Sequence, residues 1–93
     1  MIVGVLEFEI LIYSSSSLKE KRLVLKSLKD RLKNKFNISV AELDFQDKWQ
    51  RSKIGIAMIG NERSFVENSL HQIFDFIDSA DSFEITAYNF DYI

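Results

Sequence analysis

The chain has 93 residues, of which 12 are Lys or Arg and 14 are Asp or Glu, with a formal net charge of −2, 46% hydrophobic residues and no cysteine. That length makes one compact domain, residues 1–93, which buries about two-thirds of the surface its unfolded chain exposes. The composition excludes disulfides, thiolate metal sites and cysteine nucleophiles, and any attraction to phosphate has to come from clustered residues rather than from overall charge.

The first segment, residues 2–13, places Ile2, Leu6, Phe8, Ile10 and Ile12 at even positions. Glu7 and Glu9 share the odd face with Val3, Val5, Leu11 and Tyr13. This alternation predicts a strand with one face on a core. Ser14 to Ser17 turn the chain, and Ser17 followed by Glu20 three residues later is a capping box for a helix from Leu18 to about Phe36. Its apolar stripe is Leu18, Val24, Leu25, Leu28, Leu32 and Phe36.

Residues 37–45 form a second strand with room for a bulge; both of its faces mix apolar and polar residues, so the pattern fixes no inward face. A polar hairpin over residues 46–50 leads into a third strand, with Ile54, Ile56 and Met58 on one face and Gly55 and Ala57 on the other. A second helix, capped by Asn61, carries Val66, Leu70, Ile73, Phe74 and Ile77 at helical spacing. The β-branched and aromatic tail over residues 82–93 is a fourth strand.

The order β-α-β-β-α-β predicts an α+β, ferredoxin-like split βαβ domain: a four-stranded antiparallel sheet of order 4-1-3-2 with two helices on one face. In this topology the Ser14 to Ser17 loop, the start of the first helix and the hairpin at residues 46–50 share one end of the sheet.

The fold does not determine function, which has to be read from sites. Base-stacking sheets need aromatics on the central strands, but the third strand turns Lys53, Gly55 and Ala57 outward and the first offers Glu7 and Glu9. No glycine-rich phosphate loop occurs, and the single histidine, His71, lies about 110° from the centre of the second helix's apolar stripe, at the surface. Glu7, Glu9, Glu42 and Asp44 could gather on the open sheet face, where pairing with Lys53 is the expected fate. No matched acid, base and nucleophile are present, so the expectation is a non-enzymatic protein without cofactor, metal or small-molecule substrate.

Charge is unevenly distributed. Residues 17–36 hold eight basic and two acidic side chains, a net of +6; the other 73 residues hold four basic and twelve acidic, a net of −8. Arg22, Lys26, Lys29 and Lys33, at i, i+4, i+7 and i+11, fall in a strip about 60° wide that Lys19 extends toward the N-terminus. Two accounts stand: Glu67, Asp75 and Asp78 of the second helix neutralise the strip, or it tracks the phosphates of a folded RNA. Lys21 adds a cation near the helix start, and Lys48, Trp49 and Arg51 approach the same end of the sheet. Trp49 either stands out as a contact residue beside Arg51 or folds back over the core rim.

The stretches MIVGVLEFEI, SLKEKR, SVAELDFQDKWQR and IGIAMIGNE resemble the YlxP-like family, small bacterial proteins of unknown function with a ferredoxin-like fold. The similarity is weakest over the last dozen residues. The matching positions are Ser17, Lys19, Glu20, Lys21 and Arg22 in one motif and Glu42, Asp44, Asp47, Trp49, Gln50 and Arg51 in the other. The resemblance implies association with the ribosome or RNA, because genes of the family often lie beside those of translation initiation and ribosome maturation factors. Phe45 stands where many members carry a histidine, so no role built on that histidine transfers here. A structural lock, with Arg51 or Arg22 paired to Asp44 or Asp47, would give the same motif placement.

The expectation is therefore a cytoplasmic accessory protein bound to ribosomal RNA or a ribosomal subunit. It would use Lys19, Lys21, Arg22, Lys26, Lys29, Lys33, Lys48, Trp49 and Arg51, with no membrane partner. The alternative is a homodimeric interaction module joined through Val3, Val5, Leu11 and Tyr13 on the odd sheet face.

Overall fold

The structure, a computed structural model, describes residues 1–93. The elements are β1 (Ile2–Leu11), α1 (Leu18–Lys35), β2 (Ser39–Asp44), β3 (Arg51–Gly60), α2 (Arg63–Asp78) and β4 (Glu84–Tyr92). The sheet order β2-β3-β1-β4 is the expected 4-1-3-2 order read from the other side, and every neighbouring pair is antiparallel.

Alternation in β1 sends Leu6, Phe8 and Ile10 to the helix side, where Ile54, Ile56 and Met58 of β3 join them. Leu25, Leu28 and Leu32 of α1 and Val66, Leu70, Ile73 and Ile77 of α2 close the core from above. Each such side chain contributes about 1.5–3 kcal/mol on burial. Gly4 also lies on this face because α2 crosses there; a Cβ at Gly4 would collide with the side chains of Val66 and Leu70.

Three details differ from the sequence reading. β1 stops at Leu11, although Ile12 stays buried and its N–H donates to the carbonyl of Gln50 at 2.8 Å. The N-cap of α2 is Glu62, with no side-chain cap bond, rather than Asn61, since β3 runs on to Gly60 and leaves Asn61 as a link. β2 turns Val40 and Glu42 toward the helices, and its register against β3 shifts between Glu42 and Asp44, so Leu43 is the bulged residue. Leu43 then lies over Gly55 on the outer face.

No helix is long and apolar enough to cross a membrane.

Candidate functional site

The end of the sheet shared by the Ser14 to Ser17 loop, the start of α1 and the β2–β3 hairpin is tied together by side chains of both sequence motifs. Ser17 Oγ accepts the N–H of Glu20 at 3.1 Å. Glu20 reaches back one residue beyond the usual capping box, its carboxylate accepting the Ser16 N–H at 2.8 Å and the Ser16 hydroxyl at 3.0 Å. Those two bonds hold the Glu20 carboxyl below its ordinary value. On the other side, Gln50 Nε2 donates to the carbonyls of Tyr13 and Ser15, each at 3.1 Å.

Lys21 is the correction at this end: expected as a surface cation for RNA, it is 1% exposed. Its Nζ donates to the carbonyls of Phe45 at 2.6 Å and Lys48 at 2.8 Å and pairs with Glu42 Oε2 at 2.9 Å. Glu42 Oε2 also accepts from Ser52 Oγ at 2.6 Å. The ammonium's three protons match three acceptors, so Lys21 has none left for a phosphate. It is a lock between the two motifs, but not the one weighed from the sequence: neither Arg22 nor Arg51 makes it, and its acid is Glu42 rather than Asp44 or Asp47. The lock fixes the turn that follows β2, where Phe45 sits at φ 63, in the left-handed region bulky residues rarely occupy.

Beyond the lock the hairpin presents Trp49, 57% exposed, so the fold-back account of this residue does not hold. A shallow concavity lined by Leu11, Asp47, Lys48 and Arg51 lies beside it. Arg51 is partly engaged, pairing with Glu9 at 3.1 Å with its guanidinium 4.1 Å from the centroid of Phe45.

Along α1, Lys19, Arg22, Lys26 and Lys33 are exposed and Lys29 is half-buried. Lys26 pairs with Asp30 at 2.7 Å, and Lys19, Arg22, Lys29, Lys33 and Lys48 belong to no ion pair. None of the molecule's five ion pairs joins the helices, so no direct pairing with Glu67, Asp75 or Asp78 of α2 neutralises the strip. Glu67 is instead taken by Arg63 of its own helix at 2.6 Å. What α2 offers α1 is an aromatic ring: Arg31 and Lys35 lie 5.1 and 5.4 Å from the centroid of Phe76.

The open sheet face carries Glu7 near Lys53 at 4.0 Å and the Glu9 to Arg51 pair, as expected of cross-strand neighbours. Glu42 is absent from it, turned inward to Lys21, so the four carboxylates do not gather. No three His, Asp or Glu side chains are placed to hold a metal ion. His71 is exposed, with its ring stacked on Phe90 at 4.6 Å. Of the odd-face apolar residues, Val3, Val5 and Leu11 are half-buried, and Tyr13 is exposed with its hydroxyl bonded to Glu84. Exposed Leu43 and Ile59 complete that face and were missed by the sequence reading. For Leu43 the reason is the mixed pattern of β2, which fixes no inward face, although Ala41 and Leu43 in fact alternate outward with Val40 and Glu42 inward.

A family model described as a protein of unknown function (DUF503) matches residues 3–90. The uncharacterized protein YlxP of Bacillus subtilis (strain 168) is 45% identical over 84 residues, which cover 90% of this chain and 91% of that protein.

Proposed function

The chain belongs to the DUF503 family of unknown function, and on that premise we propose that it is a cytoplasmic, non-enzymatic accessory protein that binds RNA or a ribosomal subunit. The observation that carries this reading is the row of cations on α1, with Lys26 alone among them paired to an acid. Lysines three and four residues apart repel one another in the free helix, at a few tenths of a kcal/mol per pair. An external polyanion relieves that repulsion, and α2 supplies no carboxylate that does so. From Lys19 to Lys33 the row runs about 21 Å along the helix, enough for several backbone contacts that read shape rather than sequence. Lys48 and Trp49 extend the surface at the N-terminal end of the row, adding a cation and an exposed ring for stacking.

Co-sedimentation of the tagged protein with ribosomal subunits at two salt concentrations tests the reading. Retention at low salt with release at high salt is the expected result. Absence from the subunit fractions at both would remove the ribosomal reading.

A second reading, a homodimer through the open sheet face, draws on a shallow apolar groove lined by Val5, Val40, Ala41, Leu43, Ile56 and Ala57. The charged pairs of Glu7 and Glu9 beside it weigh against this reading, because interface centres are depleted of charge. Sedimentation velocity at micromolar concentration separates a dimer from a monomer.

A further inference from the structure

At the end of the sheet opposite Trp49, a cleft of about 540 Å³ opens between the C-terminus of α1, the end of β3 and the first turns of α2. Phe65, 56% exposed, stands at it with buried Met58, and Ile59, whose side chain belongs to the outer sheet face, borders it. Three carboxamides, Asn37, Asn68 and Gln72, line it, and Lys35 reaches it from the last turn of α1. Phe65, Asn68 and Gln72 are spaced i, i+3 and i+7, which puts one ring and two amides in a row on a single face of α2. None of the three carboxamides takes part in a side-chain hydrogen bond within the protein.

We propose that this cleft receives one unpaired nucleobase of the RNA that the α1 row holds, stacked on Phe65 and hydrogen-bonded at its edge by Asn68 and Gln72. The inference rests on the RNA-binding reading and goes further by naming what is bound at the foot of the row. An exposed ring offers a stacking platform that any base can use. Carboxamides carry a donor and an acceptor on one planar group, the combination that matches the mixed edges of a base and that neither a plain anion nor a hydrocarbon requires. Lys35, at the cleft in the last turn of α1, supplies charge for a phosphate flanking that base.

The test compares two RNA probes by fluorescence anisotropy: a blunt duplex, and the same duplex carrying a short unpaired extension. The full chain is expected to bind the extended probe more tightly. Phe65→Ala should remove that preference, weakening the extended complex by on the order of tenfold while leaving the blunt one unchanged, as loss of one stacked base does. Phe65→Tyr keeps the ring and should keep the preference. The paired substitution Asn68→Ala with Gln72→Ala should level the affinities for extensions made of A, C, G or U. A preference that survives Phe65→Ala, or that is lost instead with Trp49→Ala, would overturn the cleft and leave the α1 row standing. Failure of the unaltered chain to prefer the extended probe would do the same. No binding of either probe would overturn both.

Discussion

A lysine ammonium sealed from water is tolerated only when every proton finds an acceptor, and Lys21 meets that condition with the Phe45 and Lys48 carbonyls and the Glu42 carboxylate. Lys21→Met removes the charge, leaves two carbonyls without their donor and leaves Glu42 with the Ser52 hydroxyl alone. The expected cost is about 3 kcal/mol in urea unfolding. Replacing both partners, Lys21→Met with Glu42→Leu, should cost less than the sum of the single changes, because no buried charge then remains unpaired. Trp49, the only tryptophan, sits one residue past the Lys48 carbonyl, and its fluorescence reports whether the turn loosens in the single mutant. A single mutant within 1 kcal/mol of the unaltered chain, by urea midpoint and slope, would show that the lock contributes little. The lock was legible in outline: Lys21 precedes Leu25, Leu28 and Leu32 by four, seven and eleven residues, which places it on the buried stripe. What hid it was its partner. A carboxylate reads as an outward residue by its charge, and the mixed faces of β2 fix no side for Glu42, which alternation with Val40 turns inward.

At the scale of elements, β1 and α1 were the most readable, because strict alternation and a Ser to Glu cap each leave one interpretation. α2 began one residue later than its pattern suggested, since pairing between Gly60 and Ile2 prolongs β3 and takes the link away from the helix. The start of α1 makes a pH-dependent contribution with a definite sign. Its Glu20 carboxylate is favoured in the folded state by the two Ser16 bonds, so its folded value lies below the ordinary 4.5. A group depressed in this way stabilises the fold fully above that ordinary value, and the contribution fades as pH falls through the folded value. Glu20→Gln should therefore lower the urea midpoint at neutral pH. The gap from the unaltered chain should narrow as pH is taken below 4.5, where the wild-type carboxylate is protonated too. A gap constant across that range would show that the charge at Glu20 plays no part in the cap.

The whole molecule, 42 × 21 × 18 Å along its principal axes, is electrically lopsided, with the +6 of residues 17–36 opposed by −8 elsewhere. Such an arrangement orients the chain toward a polyanion while its acidic remainder limits indiscriminate binding. The segregation was fully visible in the sequence. Whether the two signs cancelled inside the fold was not, because that depended on which face of α2 met α1, and the meeting is aromatic at Phe76 rather than acidic. Changing Lys26, Lys29 and Lys33 together to Gln separates the remaining possibilities. Since Lys26 to Asp30 is the only ion pair lost, an exposed one within a single helix, the urea midpoint should barely move. Binding to a folded RNA should weaken, and the slope of log affinity against log salt should flatten by about two units, from roughly 0.7 to 0.9 per phosphate contact removed. Urea midpoints measured beside filter binding read both quantities on the same preparations. Unaltered stability with unaltered slope would mean that the row faces only water, and a large loss of stability would mean that an internal counter-charge holds it after all.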